Sequence, residues 1–198
     1  MNNYNINLDK NNANFIPLTP ISFLERTKDI YPNYEAVFYK KRIYTWKQVY
    51  ERCIKFASAL EKNGIKLGDT VSIIAANTPE LFEAHYSVPM TGAVLNAINT
   101  RLDSKTITYI LKHGEAKALI VDRQFHKVVK KSLQELGKKI LVIDINDEQA
   151  NLKDAEKIGK FEYESFLKQG DSKYVWKRPT DEWQAISLSY TSGTTGNP

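Results

Sequence analysis

Near the end of the chain, six consecutive residues are all Thr, Ser or Gly: Thr191-Ser-Gly-Thr-Thr-Gly196, with Tyr190 before them and Asn197-Pro198 after. Residues of these types on one short loop suit one kind of chemistry, the holding of an anion with several oxygens. Glycines let backbone N–H groups come close, and Ser and Thr add rotatable O–H donors. The preceding run, Gln184-Ala-Ile-Ser-Leu-Ser189, alternates polar with apolar residues as a strand does. A strand feeding such a loop is how α/β proteins seat phosphate, usually with a helix N-terminus behind it. Two other phosphate signatures do not fit. Gly193 and Gly196 lie three apart with no lysine after them in the chain, so the loop is neither G-x-x-x-x-G-K-[ST] nor G-x-G-x-x-G. A polar surface turn is the competing reading, because the same residues favour turns anywhere. The length of the run and the strand pattern before it favour phosphate.

The remaining reactive side chains read as structural. Cys53 falls on the apolar stripe Trp46, Val49, Tyr50, Cys53, Ala57, Leu60 of a helical pattern, which makes it a buried thiol rather than a nucleophile. His85 lies inside a helical segment, His113 at a helix end and His126 on a basic helix. A helix C-terminus suits His113 as a partner for free carbonyls. No pair has metal-ligand spacing, and no Ser-His-Asp set stands out. Arg101 and Asp103 follow a strand end and could approach a ligand; a surface ion pair for Arg101 and a helix cap for Asp103 are the simpler roles.

Positioning these residues requires alternating elements. The pattern predicts a helix near 20–30, a hairpin of 36–39 and 42–44 turning at Lys40-Lys41, and a helix opened by Thr45 with Gln48 as a capping box and closed by Gly64. Strands follow at 70–76, 92–98, 117–121 and 139–143. Between them lie helices from Thr78-Pro79, over 104–113 with Gly114 after it, and over 123–136 with Gly137 after it. Residues 145–182 read as an irregular excursion with one short helix at 163–168. Strand–helix alternation predicts an α/β fold, a doubly wound and mainly parallel sheet with helices on both faces. Ligands of such sheets sit at the carboxyl ends of the strands, the edge to which 187–190 would deliver the loop.

The 198 residues and 42% hydrophobic content allow one domain with a real core. A single cysteine excludes an intrachain disulfide framework and suits a reducing compartment. No apolar stretch reaches the length of a bilayer span, and the polar N-terminus is unlike a signal, which together fit a cytoplasmic protein. Net charge is +5. The lysines at 127, 130, 131 and 138 lack the interleaved aromatics of a nucleic-acid platform and read as a solvated helix face. Residues 1–16, with seven Asn in the first fourteen, read as a disordered or loosely attached leader.

The motif TSGTTG followed by x-Pro resembles the signature loop of the AMP-forming acyl-adenylate superfamily, which includes acyl-CoA synthetases. Other blocks extend the resemblance. Pro17-Leu-Thr-Pro20 leading into Phe23-Leu-Glu-Arg26 and Tyr44-Thr-Trp46 are similar to the opening blocks of medium- and short-chain acyl-CoA ligases. So are the stretches from Asn77 to His85, Val88 to Met90, and Gly92 to Asp103. Together they cover residues 17–198. The resemblance implies the N-terminal part of a doubly wound adenylation domain, cut within its phosphate loop. It implies a ligase that joins a medium- or short-chain fatty acid to CoA through an acyl-adenylate, with ATP, Mg2+ and CoA as co-substrates; a methylthiopropionate-type acid is the alternative. Ser192, Thr194 and Thr195 would offer hydroxyls, and Gly193 and Gly196 amides, to the β- and γ-phosphates. Thr191 would touch the phosphates or help hold Mg2+. The adenine, acyl and CoA pockets and the catalytic lysine of the family lie downstream, so no catalytic residue is expected within this chain, and the isolated fragment is expected to be inactive and aggregation-prone. Two other readings stay open: a short non-catalytic protein that pairs with a separately encoded remainder, and an unrelated nucleotide-binding α/β domain.

Overall fold

Thr19 starts the first helix, α1 (Pro20–Ile30), by accepting a hydrogen bond from Ile21 N, and Pro20 occupies the first turn where a missing N–H costs nothing. The computed structural model describes residues 4, 6–150, 152 and 154–191. Strands β1 (Glu35–Tyr39) and β2 (Arg42–Thr45) pair antiparallel, and Lys40 adopts a left-handed φ of 52° in the two-residue turn. The expected capping box opens α2 (Trp46–Lys62): Gln48 N donates to Thr45 Oγ1 at 3.3 Å and Thr45 N donates to Gln48 Oε1 at 2.8 Å. The alternation then runs β3 (Thr70–Ile74), α3 (Pro79–Ser87), β4 (Val94–Ala97), α4 (Ser104–His113), β5 (Ala118–Asp122), α5 (His126–Leu136), β6 (Leu141–Ile145), β7 (Phe161–Glu162) and α6 (Tyr163–Leu167).

Five strands form one parallel sheet in the order β4-β3-β5-β6-β7, with Val71 opposite both Leu95 and Ala118. Its strands are nearly continuous apolar runs because both faces are covered. One face presents Val71, Ile73, Ala118, Ile120 and Ile143 to Phe56 and Leu60 of α2, Ala84 of α3 and Phe166 of α6. The other presents Ile74, Leu119, Val121 and Val142 to Ile107, Ile110 and Leu111 of α4 and Val129 and Leu136 of α5. A third cluster joins α1, the outer side of α2, the hairpin and Trp176. The chain steps from β3 to β4 on one side and returns across β3 to β5. That reversal makes the sheet doubly wound and puts a switch point between the carboxyl ends of β3 and β5.

Several expectations are displaced. The helix expected from Arg123 begins as a 3-10 turn (Arg123–Phe125), because the Asp122 carboxylate accepts from Gln124 N and caps a tighter turn first. β6 starts two residues later than expected, and β7 was not expected at all. Thr78 holds the N-cap position of α3, but its side chain makes no capping bond and its Oγ1 is buried without a partner. The run 184–189 does not form a strand of its own. It makes a single parallel bridge, Ser187 to Leu95, closed by the backbone groups of Ile186 and Leu188. Among the described residues, no helix is long and apolar enough to cross a membrane.

Candidate functional site

Ser192, Gly193, Thr194, Thr195 and Gly196 lie outside the described residues, so the site is built from what leads to them. Leu95 N donates to Ile186 O at 3.0 Å, and Leu188 N donates to Leu95 O at 2.8 Å. This pair of bonds sets residues 186–188 beside β4 and parallel to it, on the flank opposite β3. The segment therefore heads toward the carboxyl edge of the sheet. A buried polar residue inside β4 adds a third tie: Asn96, 1% exposed, donates from Nδ2 to Leu188 O at 3.0 Å, and its Oδ1 accepts from Ser72 Oγ at 3.4 Å. An amide in a buried strand needs such partners, and here it obtains them from both neighbours. Thr191 is exposed and in irregular backbone.

Tyr190, the residue before the motif, packs its ring against the α4/α5 face of the sheet. Its hydroxyl meets His113 Nδ1 at 2.8 Å at the C-terminal end of α4. Burial raises the Tyr190 phenol above its ordinary pKa, with Tyr109 adding to the effect. His113 thus binds a side chain rather than the free helix carbonyls expected for it. His126 Nδ1 lies 2.9 Å from Arg123 O and His85 Nδ1 2.8 Å from Leu81 O, both local contacts within their own elements. Asp103 caps α4 as expected, accepting from Thr106 N at 2.8 Å. Arg101 makes no ion pair among the described residues; its backbone N–H donates to Asn99 Oδ1.

A second candidate region lies between the hairpin and α3. A cleft of about 630 Å³ opens between β1 and α3, lined by Val37, Phe38, Tyr39, Asn77, Thr78 and His85 with other residues of the same two elements. Behind it a charged network closes the space between the hairpin, α2, α3 and the β6–β7 edge. Arg42 meets Glu80 at 2.5 Å, and Tyr39 donates to Asp147 at 2.5 Å. Burial and the Asp147 carboxylate push the Tyr39 phenol up to about 12. Deeper, Arg52 bridges Glu83 and Glu164 with four hydrogen bonds, and Tyr163 donates to Glu83 at 2.9 Å. Each carboxylate of this network faces an arginine, a lysine or a phenol, while Arg42 Nε is buried without a hydrogen-bond partner. The cleft shares no lining residue with the segment carrying Tyr190 and Thr191. Among the described residues, no group of three or more His, Cys, Asp or Glu is arranged to hold a metal ion. Cys53 is fully buried and its thiol is pushed up by that burial, as expected of a structural cysteine.

The switch-point sheet with its loop-bearing flank has counterparts. The chain is 47% identical to an acetate–CoA ligase of Humulus lupulus and 43% identical to a peroxisomal acetate/butyrate–CoA ligase of Arabidopsis thaliana. Each alignment spans 96% of this chain and 35% of the relative. The chain therefore spans about a third of the length of the curated relatives it matches. The fold of an anthranilate CoA ligase solved in complex with anthranoyl-AMP superposes with a TM-score of 0.83 at 23% identity, over 96% of this chain and 35% of that one. Residues 24–198 match the profile described as AMP-binding enzyme, and the chain belongs to that family.

Proposed function

We propose that the protein carrying this chain is an AMP-forming acid–CoA ligase for short- or medium-chain carboxylic acids, and that this chain supplies its phosphate-binding segment. In the first step the acid's carboxylate oxygen attacks the α-phosphorus of Mg-ATP, the bond to the bridging oxygen breaks, and pyrophosphate leaves with its charge. In the second, the CoA thiol, losing its proton, attacks the acyl carbon, and AMP leaves. The observation that carries the reading is the placement of TSGTTG directly after a segment registered parallel to β4 of a doubly wound sheet, in a chain of this family. The names of the acetate and acetate/butyrate relatives support a short acid.

On this reading the hydroxyls of Ser192, Thr194 and Thr195 and the amides of Gly193 and Gly196 hold the β- and γ-phosphate oxygens. Thr191 contacts the phosphates or the Mg2+ that accompanies them. Donors fixed on the leaving pyrophosphate lower the barrier because charge accumulates there as the α-phosphorus bond breaks. A cytoplasmic location fits the lone cysteine; fractionation of the source cell tests it, with the peroxisome of one relative's name as the alternative.

Acid-dependent exchange of labelled pyrophosphate into ATP, measured on the full-length protein with acetate, butyrate and hexanoate, tests the function. Exchange with at least one acid is expected, and its absence with every carboxylic acid tried would overturn the reading. The T194A/T195A variant is expected to lose about a hundredfold in exchange rate, the scale of removing oxyanion donors; undiminished exchange would remove both residues from the site.

A further inference from the structure

α4 ends in an unusual way. A helix followed by Gly commonly places that Gly in the left-handed region, yet Gly114 has φ −77°, and the next residue, Glu115, takes the left-handed φ of 51° instead. Conformation therefore does not explain the glycine at 114. Space does. A Cβ at Gly114 would lie 3.2 Å from Leu188 Cδ2, 3.3 Å from the Tyr190 hydroxyl oxygen and 3.0 Å from Ile110 O. Two of those three atoms belong to the segment that leads into the Thr/Ser/Gly motif. The residue before Gly114 makes the hydrogen bond to Tyr190, and its ring is held in turn. His113 stacks on Tyr109 at 5.4 Å with the planes 14° apart, and meets the Tyr190 ring edge-on at 5.8 Å.

We propose that the C-terminal end of α4 is a positioning platform for the phosphate-binding segment, with His113 and Gly114 as positioning residues for ATP. The proposal rests on the ligase reading for its ligand and on geometry for its mechanism. Among the described residues, besides the Leu95 backbone pair and the Asn96 amide, Tyr190–His113 is the hydrogen bond that ties residues 186–191 to the body of the fold, and it is the one nearest the motif. Tyr109 fixes the imidazole plane, His113 fixes the Tyr190 hydroxyl, and the missing Cβ at 114 lets that hydroxyl and Leu188 settle against the helix end. Because phosphate donors act only within a narrow geometry, a shift of the anchor by a few tenths of an ångström reaches the ligand site.

Gly114→Ala separates positioning from stability. At φ −77° the torsion suits alanine, but its Cβ presses on Ile110 O, Leu188 and the Tyr190 hydroxyl, so a glycine with a packing role alone predicts changed stability with an unchanged KM for ATP. A platform predicts a KM for ATP raised about five- to tenfold, with kcat for pyrophosphate exchange within twofold. Tyr190→Phe and His113→Ala are expected to raise the KM similarly, with the double variant no worse than either alone. His113→Asn, which keeps a polar group near Nδ1, is expected to recover most of the loss. Hydrogen exchange at the Leu188 amide, read on the same proteins, does not depend on catalysis. It should quicken about fivefold in Gly114→Ala, His113→Ala and Tyr190→Phe, and recover in His113→Asn. Unchanged Leu188 exchange in all three overturns the platform even where pyrophosphate exchange is robust. Faster Leu188 exchange in a protein that shows no pyrophosphate exchange keeps the platform and overturns only its assignment to ATP. Additive effects in the double variant also count against it.

Discussion

Glu83 sits in surroundings that oppose each other. It is 1% exposed, faces Arg52 at 2.5 Å and accepts from Tyr163, yet burial outweighs both and raises its carboxyl to about 7. In the unfolded chain the same carboxyl loses its proton near the ordinary 4.5. Between those values the unfolded chain binds fewer protons than the folded one, so rising pH draws the equilibrium toward unfolding. The stability that Glu83 confers is thus full below about pH 4.5 and declines through pH 7. Urea unfolding at pH 5, 6 and 7 should show this decline, and Glu83→Gln should flatten it; an equal slope in the variant would assign the pH dependence to other groups. Removing the cation instead, with Arg52→Met, strands a buried carboxylate and should cost about 3 kcal/mol or more above pH 7.

Close packing between elements sets a second expectation. The excursion after α6 crosses α2 with its backbone. Asp171 N donates to Ser58 Oγ at 3.0 Å and Lys62 Nζ to Gln169 O at 2.8 Å, and a Cβ at Gly170 would collide with the Lys55 carbonyl. Gly170→Ala should therefore cost about 3 kcal/mol in chemical denaturation, because the obstacle is backbone and not a movable side chain; a neutral result would show that the crossing strand shifts freely. The elements themselves were largely legible from local chemistry. Asp103 with Gly114, and Thr45 with Gln48, mark helix ends by bonds made within a few residues. Where a distant partner decides, the pattern misled. Residues 184–189 alternate like a strand, but a strand needs a neighbour along its length, and only 186–188 lie against β4. β7 is two residues long and exists because β6 is there to pair with it. The tie between His113 and Tyr190 joins residues 77 apart, and nothing in either one's local sequence announces it. The glycine at 114 was visible, but it read as a helix stop; only the structure shows that its neighbours fill the space.

For the molecule as a whole, the outer surface carries large exposed apolar groups: Trp183 is 94% exposed, Val175 85% and Phe38 66%. At the two flanks of the sheet stand a two-residue strand, β7, and a segment that makes only one strand bridge among the described residues, so neither edge is closed by a full strand. We expect the 198-residue chain on its own to self-associate at micromolar concentration. Sedimentation velocity checks this, and a single monomeric species with one cooperative unfolding transition would refute it. The strand order has a further consequence, in time rather than space. Among the described residues, the strands of the parallel sheet lie between Thr70 and Glu162, whereas the flank of β4 is met by Ile186–Leu188. During synthesis the ribosome therefore delivers these five strands first, and at ordinary elongation rates the segment bearing the motif follows roughly one to five seconds later. For that interval the nascent protein presents β4 as a bare template, and the motif's own lead-in is the piece that covers it.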